Sequence, residues 1–578
     1  MVALNLREIA RAAISNAAAS DTKAEVIVDP NSNDNTANKI SIIIAQKFIS
    51  HACPAFLEAS VSEDVDRLVK IGRSIADLVR LADESNESDG TLAAGLSSIV
   101  EQLDILSSKN CKVPKVRFGK TELDMPIVTL GCMRFQQTWA PIIKDIGDVK
   151  KECQDNLYKL LKYSIEERGI NHIETANMYG SSEVQLGDAF QRIFDDGIKR
   201  EDLIIQTKVN AFDPVQFRKT LEDSFSKLRL DYIDLFSFHG INYYSQYETI
   251  FNNPDGENLI DIAREYVADG KIRNIGFSSH GHPNLIKKCI DSDAFAYANI
   301  HYHAFGSYTA SGSSGKHSGG NLENLRLMKE KDMGAFIISP YDKGGRLYGP
   351  SRKLRSLTLP DLEPIQYGSL WLFHHEEMDK MGAPAHTIVC GAARPSDLDE
   401  PAVAAYLFAT KKEETLKRVK AAAERLRQAE IDALGEEWME NWYEGLPNCD
   451  KDNEIYPIGQ MIWLYNIVKA WGLRDFAKDR YGSFDGNSKN WDSKLSNEEN
   501  IKKSKIMWGY MPGVAYDEDM DLSTVLADVP SCNRQKVEEA IKFLHDVCSQ
   551  NSKYEGKSPD EWETSYDMRP WCAFPERK

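Results

Sequence analysis

Three predicted β-strands of this chain close on titratable side chains that could do chemistry together. HIETANMYG supplies Glu174 and Tyr179, LIIQTK supplies Lys208, and LFSFHG supplies His239. The steps between them are 5, 29 and 31 residues, and the last two each match the length of one strand-and-helix unit. Side chains from adjacent parallel strands would meet around one point. A phenol, an ammonium group, an imidazole and a carboxylate could then share proton transfer there.

Each of these residues also has an ordinary structural explanation. A tyrosine after a strand is usually a partly buried ring, and a glutamate near a lysine is usually a surface ion pair that stabilises little. The interpretation as a site therefore depends on the four residues occurring together at strand ends.

The elements that must position these residues follow an alternating pattern. From about residue 113, short β-branched runs alternate with amphipathic stretches of the length of crossover helices. This pattern predicts an α/β fold of the (β/α)₈ TIM barrel type, whose active sites lie where the strands end. The eight predicted strands are IVTLGC, HIETA, LIIQTK, IDLFSFH, IRNIGFSS, YANIHYH, GAFIISP and HTIVCG.

Other patterns flank the predicted barrel. Residues 1–37 include a polar, Asn- and Asp-rich stretch, and we expect a flexible or targeting segment there. Apolar residues recur every three or four positions over residues 38–112, which predicts an amino-terminal helical bundle. The barrel is expected over residues 113–430. Residues 431–578 are rich in tryptophan and predict a carboxy-terminal helical domain.

Composition narrows the functional class. The chain has 578 residues and a formal net charge of −18, which disfavours binding to nucleic acid. No apolar run approaches the roughly 20 residues needed to cross a bilayer, so we expect no membrane insertion. Ten cysteines without a C-x-x-C pair predict a reducing compartment and no metal site. A cytoplasmic location is expected, and an organelle such as a plastid or mitochondrion is the alternative.

From Val116 to Glu400 the chain resembles the aldo-keto reductases. The segment VRFGKTELDMPIVTLGCMRF is similar to the amino-terminal hairpin and first strand of that family. The resemblance implies that Tyr179, Lys208 and His239 are catalytic and that Glu174 stands where most members have Asp. HIETANMYGSSEVQLG, FHGIN and IISPYDKGGRLYGPS resemble a branch with a carboxy-terminal ferredoxin-like iron–sulfur domain, in which Glu is usual at that position.

The chemistry of such a set follows from charge. Hydride delivered to a carbonyl leaves negative charge on the oxygen, which needs a proton and a hydrogen-bond donor in a dry site. Tyr179 would be the general acid, and we expect Lys208 to lower its pKa. Glu174 would orient Lys208, and His239 would donate to the substrate oxygen.

The resemblance also implies a nicotinamide site. NIGFSSH resembles the segment that binds the carboxamide, here through Ser278 and Ser279, and Asn299 stands where the family usually has Gln. Ser339 and Pro340 would belong to the pyrophosphate loop. Ile338 replaces the aromatic residue that usually stacks on the nicotinamide, so we expect weaker binding or a different geometry.

The segment TIVCGAARPSDLDEP resembles the part that recognises the adenosine end of the cofactor. Gly391 aligns with the usual Lys and Asp397 with the usual Arg, while Arg394 lies between them. Asp397 would repel a 2′-phosphate, and Arg394 could compensate. NADPH is the cofactor that the resemblance implies, and NADH is the alternative.

The carboxy-terminal segment lacks the cysteines of the ferredoxin-like branch. Only Cys449 remains in the corresponding region, and Cys532 and Cys548 lack the spacing that cluster ligation requires. We therefore expect a degenerate ferredoxin-like domain without an iron–sulfur cluster.

Two functions are open at this point. The first is an oxidoreductase that reduces an aldehyde or ketone with NAD(P)H. The second is a catalytically weak or inactive barrel that acts as a scaffold or nicotinamide-sensing subunit. In either case a protein partner would bind through the amino-terminal bundle or the carboxy-terminal domain.

Overall fold

Short strands that alternate with helices close into a barrel in the computed structural model of this chain. It describes residues 8–15, 35–58, 65–84, 89–108, 110–135, 137, 143, 145–254, 256–281, 283–305, 320–341, 347, 350–379, 385–447, 456–492, 494–496, 499 and 513–549. The strands are β1 Lys115–Arg117, β2 Asp124–Pro126, β3 Val128–Gly131, β4 His172–Glu174, β5 Ile204–Asn210, β6 Ile233–His239, β7 Ile272–Ser278, β8 Tyr297–His301, β9 Gly334–Ile338 and β10 Thr387–Gly391.

Strands β3 to β10 are all parallel and form a closed barrel in which β10 pairs with both β9 and β3. Each corresponds to one of the eight predicted segments, so the predicted fold class is confirmed. The register sets Glu174 beside Gln206 and Lys208 beside Ser237 on neighbouring strands. The carboxyl ends of β4, β5 and β6 therefore meet at one face of the barrel.

A hairpin covers the opposite face. Strands β1 and β2 pair antiparallel, as the resemblance of this segment implied. Phe118 of the hairpin loop and Met125 of β2 are buried against an inner cluster that includes Tyr297 and Phe336. The Phe118 ring lies 5.8 Å from Tyr297 and 6.5 Å from Phe336, measured between ring centroids. The bottom of the barrel is thus a packed apolar layer, and the polar groups lie above it.

Helices connect the strands and surround the barrel. The helices between β3 and β9 are Lys151–Lys162, which continues into a π-turn at Tyr163–Glu167, and Ser182–Asp195, Pro214–Leu228, Tyr244–Phe251, Leu259–Ala268, Pro283–Asp291 and Gly320–Glu330. Those after β9 and β10 are Arg352–Thr358, Pro364–Phe373, His375–Asp379, the 3₁₀ turn Pro395–Leu398, and Asp399–Thr410. Their buried faces carry the aliphatic and aromatic side chains that the amphipathic pattern predicts.

Two further groups of helices pack on the barrel. The amino-terminal group contains Asn35–Ala52, Pro54–Glu58, Val65–Glu84 and Asp89–Ser107, and residues 8–15 are also helical. The carboxy-terminal group contains Lys412–Leu434, Glu436–Asn441, Ile458–Trp471, Arg474–Asn490, Leu522–Val525 and Ser531–Cys548. One continuous apolar core runs through both groups and the outer ring of the barrel. The extra helical regions are therefore confirmed, while the domain limits given above stay predictions.

None of the described helices combines the length and the apolar character needed to cross a membrane.

Candidate active site

The four residues predicted to do chemistry come from neighbouring strands. Glu174 and His239 are the last residues of β4 and β6, and Lys208 lies near the end of β5. Tyr179 follows β4, in the short loop before helix Ser182–Asp195. All four therefore lie at the carboxyl-terminal face of the barrel, where active sites of this fold are built.

Lys208 and Glu174 form a buried ion pair. The Lys208 ammonium donates to Glu174 Oε1 and, at 2.6 Å, to the carbonyl of Thr175. Only 2% of the Lys208 side chain and 4% of the Glu174 side chain are exposed. The glutamate thus contacts the lysine, and Lys208 has little freedom left because two acceptors surround its ammonium group; the orienting role of Glu174 in catalysis stays a prediction.

Tyr179 lies between this pair and His239. The Lys208 ammonium is 4.8 Å from the centroid of the half-buried Tyr179 ring. The ring also contacts the His239 imidazole edge-to-face, with 5.6 Å between ring centroids and an interplanar angle of 82°. The phenol, the ammonium group and the imidazole are therefore assembled around one point.

The electrostatic effect on Tyr179 differs from the one expected. Burial raises the pKa of Tyr179 above that of a free phenol, and the Cys132 thiol adds in the same direction. The expectation that Lys208 lowers this pKa is wrong for this structure. The Lys208 charge is matched at contact by Glu174, so the tyrosine sits beside a neutral pair in a desolvated position.

Asn299 on β8 is suited to a carboxamide. Its Oδ1 accepts a hydrogen bond of 3.2 Å from Gln206 Nε2. Within the residues that the structure describes, no group accepts a hydrogen bond from the fully buried Asn299 Nδ2. A buried amide donor without an acceptor is costly, and a ligand carbonyl would satisfy it.

Ser278 and Ser279 tie together the loops beside this position. Ser278 Oγ accepts from the Gly240 amide at 2.9 Å. Ser279 Oγ donates to the Ile241 carbonyl at 2.6 Å and accepts from the Gly281 amide at 2.9 Å. Both hydroxyls therefore hold the turns after β6 and β7 in place, and a direct role in cofactor binding stays a prediction.

The pyrophosphate segment begins directly after β9. Ser339 has a φ of 55°, a left-handed conformation that is uncommon for a residue with a side chain and recurs at functional sites. Pro340 is buried behind it, and Ile338 closes the strand where an aromatic residue was expected from the resemblance. Residues 342–346, which would complete this loop, lie outside the described residues.

The segment predicted to bind the adenosine end of the dinucleotide contains charged side chains that already have partners. Arg134 Nη1 donates to the Gly391 carbonyl at 3.0 Å, so a guanidinium lies over the position where the family usually has Lys. Asp397 accepts from the Ala393 amide at 2.8 Å and lies 3.8 Å from Arg394. Burial opposes ionisation of Asp397, but Arg394 and Arg134 outweigh it and lower the pKa of this carboxyl.

Sequence reasoning missed three residues near this site. His280 and His301 contact each other through their ring nitrogens, beside Asn299 on β8. The period-two pattern of a strand places His301 on the same side as Asn299, and this signal could have found it. Asp66 lies 2.7 Å from Arg394, and no local pattern indicated that contact.

The cysteines discussed for a cluster are far apart where the structure describes them. Cys532 is near the start and Cys548 at the end of one helix, Ser531–Cys548. Sixteen residues of α-helix span roughly 24 Å, so these two thiols cannot bind one small cluster. Cys449 lies outside the described residues.

Comparisons with known proteins relate part of the barrel to one family. Residues 128–341 match the model of the aldo/keto reductase family. The chain is 25% identical over 351 residues to an uncharacterized oxidoreductase, YqkF, of Bacillus subtilis (strain 168), covering 57% of this chain and 98% of that protein. It is 29% identical over 175 residues to an NADPH-dependent D-xylose reductase of Meyerozyma guilliermondii, covering 27% of this chain and 49% of that protein.

A solved structure of an aldo-keto reductase, AKR11C1 of Bacillus halodurans in its holo form, matches with a TM-score of 0.39 and 20% identity. The match covers 54% of this chain and 97% of that one. The family model identifies residues 128–341, within the barrel, as an aldo/keto reductase domain, and the sequence relatives named above are oxidoreductases.

Proposed function

We propose that this barrel reduces an aldehyde or ketone with NAD(P)H and that Tyr179 donates the proton. The observation that carries the proposal is the position of the Tyr179 phenol, between the buried Lys208–Glu174 pair and the His239 ring. A proton donor next to a hydrogen-bond donor at a barrel mouth is the arrangement that a developing alkoxide requires.

Each side chain has a distinct task in this proposal. A dinucleotide held by the residues named below would supply the hydride. Tyr179 gives its phenolic proton to the carbonyl oxygen, and His239 donates a hydrogen bond to the same oxygen. Lys208, held by Glu174 and the Thr175 carbonyl, packs its ammonium group against the Tyr179 ring and fixes the orientation of the phenol.

The residues proposed to hold the dinucleotide surround the other half of the barrel mouth. Asn299 Nδ2 would donate to the carboxamide, which gives this buried group its acceptor. Ser278 and Ser279 would hold the turns beside it, and Ser339 and Pro340 would contact the pyrophosphate. The xylose reductase relative is named for its dependence on NADPH, and NADH is the other candidate dinucleotide.

A second function is favoured by specific departures from the family pattern. Ile338 cannot stack on a nicotinamide as an aromatic ring does, and Arg394 already pairs with Asp66. These features fit a barrel that binds a nucleotide weakly, or a scaffold that binds a protein partner through its added helices.

The experiment that tests the proposal has two steps. The purified full-length protein is titrated with NADPH and with NADH, followed by tryptophan fluorescence or the heat of binding. Turnover of a panel of aldehydes and ketones is then compared between wild type and Tyr179→Phe. We expect dinucleotide binding in both proteins and a loss of turnover of about 10²–10⁴-fold in the variant.

Two results would contradict the proposal. An absence of binding up to about millimolar dinucleotide, weaker than roughly −4 kcal/mol, favours the scaffold instead. Equal turnover in Tyr179→Phe and wild type would remove Tyr179 from the proposed role. Thermal unfolding of both proteins controls for a loss of fold.

A further inference from the structure

The segment after the last barrel strand is a position where barrels of this type often bind phosphate. Loops after the last two strands, together with a short extra helix, commonly form such a site, and helix N-termini favour anions. Here the 3₁₀ turn Pro395–Leu398 and the helix Asp399–Thr410 follow β10. Their own residues supply three buried carboxylates, Asp397, Asp399 and Glu400.

Cations from helix Val65–Glu84 neutralise two of these carboxylates. Arg67 holds Asp399 with two contacts, Nε to Oδ2 at 2.5 Å and Nη2 to Oδ1 at 3.0 Å. Lys70 forms an ion pair with Glu400. The amino-terminal bundle is therefore anchored on the same segment that would hold a ligand phosphate.

The same helix also presents an anion to this segment. Asp66 Oδ2 lies 2.7 Å from Arg394 Nη1, and only 5% of the Arg394 side chain is exposed. The third carboxylate, Asp397, lies 3.8 Å from Arg394 and 3.9 Å from Arg134. Two guanidinium groups thus face two carboxylates before any ligand arrives, so the segment offers a phosphate little net positive charge.

We infer that Asp66 is a specificity-determining residue that disfavours a dinucleotide with a 2′-phosphate and selects NADH over NADPH. This inference rests on the proposed function, because it assumes that the dinucleotide binds with its adenosine end near Arg394. A 2′-phosphate would have to displace Asp66 from Arg394 or remain beside two carboxylates. A 2′-hydroxyl carries no charge and meets neither penalty.

The test compares dinucleotide affinities of full-length wild type and Asp66→Asn. Asparagine keeps the shape of the side chain and removes its charge. We expect wild type to bind NADH more tightly than NADPH. In Asp66→Asn, NADPH should bind roughly ten-fold more tightly, as expected for a charge-assisted contact, while NADH affinity changes by less than about two-fold.

Asp83→Asn is the matched control. Asp83 lies on the same helix and pairs with Arg11, and both side chains are more than half exposed. This variant removes the same charge from the molecule at a distance from Arg394, so the ratio of the two affinities should stay that of wild type.

A double-mutant cycle tests whether Asp66 acts through Arg394. The gain in NADPH affinity on Asp66→Asn should disappear when Arg394 is replaced by methionine. Asp66→Ser, which places an uncharged hydroxyl in the first turn of the helix, serves as the second variant if Asp66→Asn lowers the melting temperature.

The outcomes separate this inference from the proposed function. If both dinucleotides bind and Asp66→Asn leaves their affinity ratio unchanged, or wild type prefers NADPH, the inference is overturned and the proposed function stands. If neither dinucleotide binds to wild type or to the variant, the proposed function fails and the inference fails with it.

Discussion

At the scale of single residues, the pKa of Tyr179 decides whether the proposed proton donor carries its proton. A phenol can donate only while it is protonated. Burial raises the pKa of Tyr179 above the ordinary value of about 10, so the neutral phenol persists throughout the physiological range. In the proposed reduction Tyr179 therefore carries its proton before the reaction, as a proton donor must.

This sets the pH dependence of the proposed reduction. A raised pKa keeps the donor protonated at every pH below it, so kcat for carbonyl reduction should not fall because of Tyr179 between about pH 6 and 10. The measurement is the pH profile of kcat with saturating dinucleotide and carbonyl. A fall with a midpoint below about pH 9 would contradict a neutral, buried donor, provided that the protein remains folded there.

Lys208 and Glu174 stabilise each other only as a pair. Replacing Lys208 with methionine leaves the Glu174 carboxylate buried without its cation, and we expect a loss of about 3–5 kcal/mol in the free energy of unfolding. Denaturant unfolding measures it. Lys151→Met is the control, because Lys151 belongs to an exposed i,i+4 pair with Asp155 and should change stability by about 0.5 kcal/mol or less. Similar losses of unfolding free energy in Lys208→Met and Lys151→Met would show that the Lys208–Glu174 pair is not desolvated.

At the scale of elements, the bundle helices approach each other at a glycine. A Cβ added at Gly72, on helix Val65–Glu84, would lie 2.0 Å from the backbone oxygen of Ser41 on helix Asn35–Ala52. The two helices are therefore closer at this point than any side chain permits. Because Val65–Glu84 also carries Asp66 and Arg67, the spacing of this helix pair helps to position the contacts made to the barrel.

Gly72→Ala should consequently lower stability although alanine favours helices. Forcing a methyl group into this contact is expected to cost about 1–3 kcal/mol. Gly482→Ala is the matched control on helix Arg474–Asn490, where an added Cβ meets nothing within 4 Å, and it should gain about 0.5–1 kcal/mol. Thermal unfolding with hydrogen exchange over residues 35–107 measures both. A stabilised Gly72→Ala would mean that the helices do not pack this closely.

At the scale of the whole molecule, Asp399 joins the bundle to the barrel. Besides Arg67, its carboxylate accepts a hydrogen bond of 2.5 Å from the Tyr163 hydroxyl, and Arg168 donates to that hydroxyl at 2.9 Å. Arg168 in turn donates to the Leu106 carbonyl at 3.0 Å. This chain of contacts runs from the bundle through a barrel helix to the segment after β10, within the continuous apolar core.

Arg67→Met should therefore destabilise the molecule as one unit. The substitution leaves the buried Asp399 carboxylate with the Tyr163 hydroxyl as a hydrogen-bond donor but without its contacting cation. We expect a loss of about 3–5 kcal/mol in the free energy of unfolding. Arg11→Met, in an exposed pair with Asp83, should change stability by about 0.5 kcal/mol or less. Denaturant unfolding followed by tryptophan fluorescence and circular dichroism tests this. Separate transitions, with only one affected by Arg67→Met, would contradict a single unit.

The amino-acid sequence by itself determined the barrel and the face at which the proposed site residues meet. The strands were predictable because β-branched runs between amphipathic segments are local patterns. Glu174, Lys208 and His239 were found because parallel strands must end at a common face. Helix Asp399–Thr410 was not singled out, since its buried charges, Asp399 and Glu400, break the amphipathic pattern on which such a prediction relies.

Only the tertiary structure decided how the charges are paired. Arg67 and Asp399 are separated by 332 residues, and nothing in the periodicity of either helix indicates that they meet. The raised pKa of Tyr179 likewise follows from burial and from the neighbouring Cys132 thiol, which a sequence does not display. Local structure depends on neighbouring residues along the chain, whereas desolvation and ion pairing depend on which distant segments pack together.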